Sequence, residues 1–208
     1  MYIKKTIAIL SVIVLLLSLV GCANNATPND TINTLFDALK KYDMETIKTV
    51  VSEFPNADGC SITYDPFSDT PYVLLYQKAY TNLEYQINSI KETGDTTATA
   101  TLTVTHPDLK TAYTSALYTS MAMIFSDEKL FNSIIEDEDA EISNYVPNQM
   151  QNMVTTGKVE TIETEFTLQL TKGENGWKIT TDEQLKNLIS SNLYQIASGT
   201  ENIFATEE

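Results

Sequence analysis

The sequence predicts an α+β domain in which helices pack on one side of a curved antiparallel sheet. Four segments alternate apolar and polar residues with the two-residue period of a β-strand, and short turns join them into two hairpins. Segments with the helical spacing of apolar residues stand before, between and after the hairpins. Because each strand has a single apolar face, helices have to cover only one side of the sheet.

The first 21 residues have the organisation of a bacterial signal peptide. Lys4 and Lys5 form a short positive segment, and residues 6–20 are almost wholly apolar. The run ends in Leu19-Val20-Gly21-Cys22, which resembles the lipobox of bacterial lipoproteins. That resemblance implies lipid on the thiol of Cys22, cleavage just before it, and a location on the extracytoplasmic face of the cell membrane. Residues 22–29 then form a polar tether. The alternative, a transmembrane anchor, needs ~18–20 apolar residues, more than this run contains.

Composition limits the function of the mature chain. Cleavage before Cys22 removes two lysines and no acid, so the net charge changes from −15 to −17 over the remaining 187 residues. The chain contains no arginine and no basic stripe, which excludes nucleic acid as a partner and predicts repulsion from an anionic membrane surface. The length suits one domain and is too short for the two lobes of a solute-binding lipoprotein. Cys60 then has no disulfide partner, and we expect it to be a small buried apolar residue.

Helical periodicity opens the domain, which we place at residues 30–192. A first helix is predicted by four apolar residues with helical spacing and by three suitable N-cap residues, namely Ile32, Leu35, Phe36 and Leu39 with Asn29, Asp30 and Thr31. Asp43 caps a second helix, which Pro55 ends. Residues 55–71 form a loop, and a third helix extends to about residue 81.

Two hairpins and a helical insert follow. The first hairpin joins residues 83–88 to residues 97–105 around a turn at Gly94-Asp95, and its second strand alternates apolar residues with threonines. Residues 107–155 form a helical insert that Pro147 interrupts. The second hairpin joins residues 162–170 to a strand that begins at Trp177, whose ring we expect to pack against the helices. A last helix covers residues 182–192, and residues 193–208 form a C-terminal tail.

Two short motifs resemble the cystatin-like cone of the nuclear-transport-factor-like superfamily. One is Phe36-Asp37-Ala38-Leu39-Lys40-Lys41-Tyr42-Asp43 in the first helical pair, and the other is the closing Gly176-Trp177-Lys178-Ile179. The resemblance implies a cone whose concave sheet faces its helices, with the insert at residues 107–155 as a departure from the simplest members. That superfamily includes enzymes, binding modules and assembly domains, so the fold does not name the function.

The tyrosines of the third helix are the first candidate site. Tyr72, Tyr76 and Tyr80 recur at four-residue spacing. Such a stripe is usually core packing, but in a cone this helix can line the open mouth, where phenols stack on a ligand and form hydrogen bonds with it. We therefore name these three residues as candidate ligand-binding residues.

The single histidine and one acidic run are further candidates for a catalytic or a calcium site, and both also have a purely structural interpretation. His106 and Asp108 could join a hydroxyl in a relay, but no Gly-x-Ser-x-Gly motif is present, and we expect His106 at a strand end beside a helix cap. The run from Glu136 to Glu141 could attract calcium, but it lacks EF-hand spacing, and a solvated charged face is the preferred interpretation. We identify no catalytic residue, no metal ligand and no cofactor.

The sequence therefore predicts a non-enzymatic, membrane-anchored lipoprotein that binds a small ligand or a protein partner. The alternative is a small cone-fold enzyme of the isomerase or dehydratase type, which would use a buried acid or base inside the cone. A carboxylate or histidine with a perturbed pKa in an apolar pocket would distinguish the two.

Overall fold

We describe the protein from a computed structural model, which defines residues 26–53, 72–136 and 142–197. Eight helices lie in these ranges, namely α1 Pro28–Lys41, α2 Met44–Val50, α3 Tyr72–Thr81, α4 Leu109–Ser126, α5 Glu128–Glu136, α6 Ile142–Thr155, α7 Glu183–Ile189 and α8 Leu193–Ala197. They accompany four strands, β1 Glu84–Gly94, β2 Thr97–Pro107, β3 Thr161–Gly173 and β4 Gly176–Ile179.

The four strands form one antiparallel sheet in the order β1-β2-β3-β4. The β2–β3 register is continuous from the Thr97–Thr171 pair to the Pro107–Thr161 pair. The β1–β2 register shifts at two places along the edge strand, and such shifts bend and twist an edge away from unwanted pairing. This sheet, with helices against it, confirms the predicted α+β class with a curved antiparallel sheet.

One face of the sheet supplies the core. The inward positions of β2 and β3 are fully or almost fully buried, namely Ala98, Ala100, Leu102, Val104, Phe166, Leu168 and Leu170. The threonines of β2 alternate with them on the opposite, more exposed face. Helices α1, α3 and α7 pack against the sheet, α6 packs on α3, and α4 packs on α6. The apolar faces of the strands thus form a core between the sheet and a layer of helices, and α4 and α6 form a further layer on top of those helices.

Trp177 occupies the predicted place at the start of the last strand. Its side chain is 8 % exposed and belongs to the core. The Thr31 hydroxyl of α1 donates a hydrogen bond to the Trp177 carbonyl over 3.5 Å. The prediction that this ring packs against the helices is confirmed.

The first helix begins earlier than predicted. Thr27, rather than Asn29, Asp30 or Thr31, is the N-cap, because Pro28 occupies the first turn and the Thr27 hydroxyl accepts the Asp30 N–H at 3.2 Å. The Asp30 carboxylate in turn accepts the Thr27 N–H at 2.9 Å, which completes a capping box. The Thr27 hydroxyl also donates to this carboxylate over 2.8 Å. The two hydrogen bonds that the carboxylate accepts, the backbone one foremost, hold the pKa of Asp30 below its usual range. Helix α1 therefore starts inside the segment predicted as tether.

The second helix ends for a different reason from the one predicted. Asp43 caps it as expected, but it stops at Val50, before Pro55. Val51 is extended and forms an isolated bridge with Ile179, and the Ser52 N–H donates to the Ile179 carbonyl over 2.8 Å. Pairing with β4 thus ends the helix, and Pro55 lies outside the described residues.

Two further boundaries differ in the second half of the chain. Pro147 is the sixth residue of α6 and does not interrupt it, so the predicted interruption is wrong. The proline removes one backbone hydrogen bond inside the helix, and the packing of α6 on α3 and α4 offsets that loss. After α7, Ser191 and Asn192 adopt left-handed backbone angles, and α8 follows within the predicted tail. Leu193 and Ile196 of α8 are buried, so packing extends beyond residue 192. Residues 198–208 lie outside the described ranges.

Candidate functional site

A cleft of about 200 Å³ lies where α4 leaves the sheet and α6 returns to it. Its eight lining residues come from the two ends of the helical insert and are Asp108, Thr111, Ala112, Ser115, Met153, Lys158, Val159 and Glu160. The polar members offer one ammonium group, two carboxylates and two hydroxyls. The apolar members Ala112, Met153 and Val159 form the rest of the lining.

Asp108 fixes the geometry of the cleft. Its carboxylate accepts the Thr111 N–H at 3.0 Å and so caps α4. Its own N–H donates to the Glu160 carbonyl over 2.8 Å, which joins the segment before α4 to the segment after α6. The cleft is thus built on the β2–β3 register, which brings residues far apart in sequence together.

The outward side of α4 continues from the cleft as an apolar surface. Thr111 and Ser115 of the cleft are followed, three or four residues apart, by Tyr118, Met121 and Phe125. These last three side chains, which we call the α4 outer face, are 53 %, 41 % and 70 % exposed. Exposed large apolar side chains on neighbouring turns commonly mark a binding surface.

His106 lies behind the cleft, at the end of β2 and beside the α4 cap, as predicted. Its ring is fully buried. Nδ1 lies 2.9 Å from the Pro107 carbonyl, which can only accept, so we assign the ring proton to Nδ1. Nε2 then accepts from the Thr164 hydroxyl at 3.0 Å. The Asn192 side-chain amide approaches the same hydroxyl oxygen at 3.5 Å.

Burial keeps this histidine neutral. Desolvation lowers the pKa of His106 below its ordinary value, and the Pro107 carbonyl and the Asp108 charge oppose that shift only in part. The neutral tautomer satisfies both ring nitrogens. Because no part of the ring reaches solvent, His106 cannot contact a ligand in the cleft without rearrangement of the chain around it.

A small set of buried polar atoms accompanies His106. The side-chain oxygens of Ser191 and Asn192 and the carbonyl oxygen of the Asn187 side chain are buried without a hydrogen-bond partner in the described part of the chain. Ser120 on α4 carries a fourth such atom. The Ser191–Asn192 pair also has the left-handed backbone noted above. Unpaired buried polar atoms reduce stability, but the backbone at the end of α7 is well bonded, with the Asn192 N–H donating to the Asn187 carbonyl over 2.9 Å.

Two of the three candidate tyrosines are part of the core. Tyr76 and Tyr80 are buried, with ring centroids 5.8 Å apart. The Tyr80 hydroxyl donates to the Ile189 carbonyl, and its ring lies 6.4 Å from that of Tyr42. This is the core-packing interpretation of the stripe. The side chain of Tyr72 lies outside the described residues, and a ligand-binding role for these residues stays a prediction.

Several other predicted features lie outside the described residues. These are the signal peptide with Cys22, the loop containing Cys60, and the acidic run after Glu136. Within the residues that are described, no three metal-ligating side chains form a group. No helix in the same ranges is both long and apolar enough to cross a bilayer.

Sequence reasoning missed both the cleft and the α4 outer face. The cleft residues carry no common motif, since they come from two segments that only the fold brings together. The α4 outer face did leave a signal, because residues 111–126 contain no charged side chain in a chain that is 20 % charged.

Comparison with known proteins gives little further information. No family model matches the chain, and no curated protein matches it. Among solved structures, it is similar to a crystal structure of a candidate lipoprotein, ycdA, from Bacillus subtilis, at 17% sequence identity and a TM-score of 0.36. The alignment covers 80% of this chain and 47% of the other, so this chain spans about half the length of that protein.

Proposed function

We propose that this protein is a membrane-anchored extracytoplasmic lipoprotein whose α+β domain binds a small, mixed-charge ligand without chemical turnover. The observation that carries the binding function is the cleft, with an ammonium group and two carboxylates around a partly apolar floor. The anchor rests on the order of a positive segment, an apolar run and Gly21-Cys22.

The charges of the cleft define the ligand class. Lys158 supplies a cation for a carboxylate or other anionic group, and Glu160 and Asp108 supply anions for an ammonium group. The Thr111 and Ser115 hydroxyls can donate or accept. Because pockets that bind drug-sized ligands measure roughly 300–1,000 Å³, a cleft of about 200 Å³ suits a smaller molecule. A zwitterion satisfies both kinds of charge.

The lining argues for binding rather than catalysis. It contains neither histidine nor cysteine, and the carboxylate of Asp108 is already engaged in capping α4. One observation favours the alternative cone-fold enzyme, namely a buried histidine with a lowered pKa directly behind the cleft. For His106 to act as a base, a substrate would have to reach Nε2, which is now occupied by the Thr164 hydroxyl.

Calorimetric titration of the mature protein with a panel of small zwitterions tests ligand binding. A ligand should bind the unaltered protein and lose at least about ten-fold in affinity on Lys158→Gln or Glu160→Gln, since each substitution removes one charge-assisted hydrogen bond. The matched control, Lys91→Gln on the exposed edge of β1, should leave affinity unchanged. If the three variants lose equal affinity, the cleft is not the binding site.

Turnover assays separate the two functions. The proposal predicts no consumption of the bound zwitterion and unchanged affinity for folded His106→Gln protein. Turnover that disappears in that variant would establish the enzyme alternative.

Metabolic labelling with a fatty acid tests the anchor. Cys22→Ala should abolish the label and leave an uncleaved precursor, while Cys60→Ala, the matched control at the other cysteine, should retain both label and cleavage. Label that persists in Cys22→Ala would show that the lipid is attached elsewhere.

A further inference from the structure

The α4 outer face is apolar where an exposed helix is normally charged. Tyr118, Met121 and Phe125 follow each other at three- and four-residue spacing, which places them on one side of the helix. The Phe125 ring lies 5.8 Å from that of Phe131, so the apolar surface continues onto α5. Met123 is not part of this face, because it lies toward α6, where its sulfur accepts a hydrogen bond from the Gln149 side-chain amide over 3.7 Å.

Within residues 26–53, 72–136 and 142–197, no other element covers this face. Helix α4 packs through its opposite side, where Leu109, Ala112 and Ala116 are fully or almost fully buried. The three side chains of the α4 outer face remain exposed, although the helix packs through an inward stripe that runs from Leu109 to Ser120. Such a surface indicates an external contact.

The charge distribution limits what can cover it. Residues 111–126 carry no Asp, Glu, Lys or Arg, while the whole chain has a net charge of −15. The negative charge of the domain repels a second copy of the chain, and it also repels an anionic surface, so either can approach closely only at an uncharged face. The apolar part of a lipid bilayer needs no complementary charge, and the uncharged α4 outer face is therefore suited to it.

The size of the face decides between a second copy and a bilayer. The three side chains, each of about 200 Å² and about half exposed, offer on the order of 300 Å². A stable dimer buries about 800 Å² on each partner. The face is thus too small to hold two copies together, but an anchored domain requires much less because the anchor already confines it.

The tether brings the domain against the membrane. Cys22 precedes the α1 cap, Thr27, by five residues, which span at most about 18 Å. A domain of this length has a radius of gyration of about 16 Å and is roughly 40 Å across. The tether therefore holds the start of α1 within about 18 Å of the headgroups, which is close enough for the domain to contact them.

We infer that the α4 outer face inserts into the headgroup region of the bilayer and so sets the orientation of the anchored domain. This inference rests on the proposed lipid anchor. Tyrosine, methionine and phenylalanine without charge are suited to the interface, where an apolar helix face lies about 5–10 Å deep.

Quenching of tryptophan fluorescence by brominated phosphatidylcholine tests this insertion in the acylated full-length mature protein on vesicles. The test protein carries Phe125→Trp with Trp177→Phe, and the matched control carries Leu74→Trp with Trp177→Phe, since Leu74 is a 54 % exposed apolar residue on α3. Quenching should be at least about two-fold stronger for the test protein, because only its indole reaches the acyl boundary. If Trp177→Phe prevents folding, the same single substitutions in the presence of Trp177 give the answer after subtraction of the unaltered protein's signal.

The other outcomes are separable. Equal quenching at the two positions would overturn the insertion, as would copies that cross-link through position 125 without quenching. In vesicles that contain an anionic lipid, quenching at position 125 should fall at low salt and recover as salt is added. A protein that carries no acyl label and does not stay on the vesicles would instead contradict the anchor, before insertion is tested.

Discussion

Strand β2 and helix α4 are both almost free of charge, yet the fold treats them differently. Strand β2 is paired on both sides and buries alternate residues against the helices. Helix α4 buries one side and leaves Tyr118, Met121 and Phe125 in solvent. In β2, the absence of charge allows the strand to pack in the core. In α4, the uncharged side chains of the outer face stay exposed among the described residues, which is the observation behind the proposed external contact.

The largest expected contrast is between two aromatic residues. Trp177→Ala should lower the free energy of unfolding by about 3–5 kcal/mol, because it leaves a cavity in the core. Phe125→Ala should change it by less than about 0.5 kcal/mol, because the removed ring is mostly exposed. Urea unfolding of both proteins measures the difference, and similar losses would mean that Phe125 is packed.

The next effect concerns the buried histidine at the end of β2. Because the folded pKa of His106 is lowered, the unfolded chain takes up the proton first, near pH 6.5. The stability contributed by His106 is therefore present above that pH and is lost as the pH falls toward the folded pKa.

Melting temperatures of the native and His106→Gln proteins between about pH 7.5 and pH 5 measure this loss. The native protein's advantage should shrink on acidification. The comparison with the variant removes the contribution of carboxylates, which titrate in both proteins. A constant difference across this range would contradict the neutral, desolvated state of His106.

A smaller effect is expected where β2 passes into α4. Asp108→Ala removes the cap of α4 and should cost about 1 kcal/mol. Asp108→Asn retains an acceptor for the Thr111 N–H and should stay within a few tenths of a kcal/mol, although it removes a charge from the cleft. Thermal unfolding distinguishes the two, and equal losses would show that the charge rather than the cap matters.

The smallest effect tests the exposed side of α4 by itself. Phe125→Gln should leave the free energy of unfolding of the domain within about 0.5 kcal/mol of the native value, because the amide stays hydrated and adds no charge at the C-terminal end of α4. Circular dichroism during urea unfolding measures it. A loss of several kcal/mol would place Phe125 in the core and remove the contrast with β2.

Much of the fold could be predicted because its strands alternate regularly. The period of β2 identified the buried residues Ala100, Leu102 and Val104 before any contact was known. The ends of helices that are set by contact with a distant segment of the chain were harder to predict. Helix α2 ends where Val51 meets Ile179, and that pairing depends on a strand more than a hundred residues away.

The candidate site was less predictable, for a related reason. His106 could be placed at a strand end from Pro107 and Asp108, which follow it directly. The cleft could not, because Lys158 and Glu160 meet Asp108 only through the register of β2 and β3. The cystatin-like type, inferred from two short motifs, stays a prediction.

The hydrogen bond between the Asp108 N–H and the Glu160 carbonyl also bears on how the chain reaches its native state. It closes the whole helical insert into a loop, and the entropy lost in closing a loop grows with its length. Hairpins β1–β2 and β3–β4 close over short turns, so they can form early, while the central β2–β3 pairing waits for α4 and α6 to come together. The slowest step of folding should therefore be the joining of two preformed halves at the middle of the sheet.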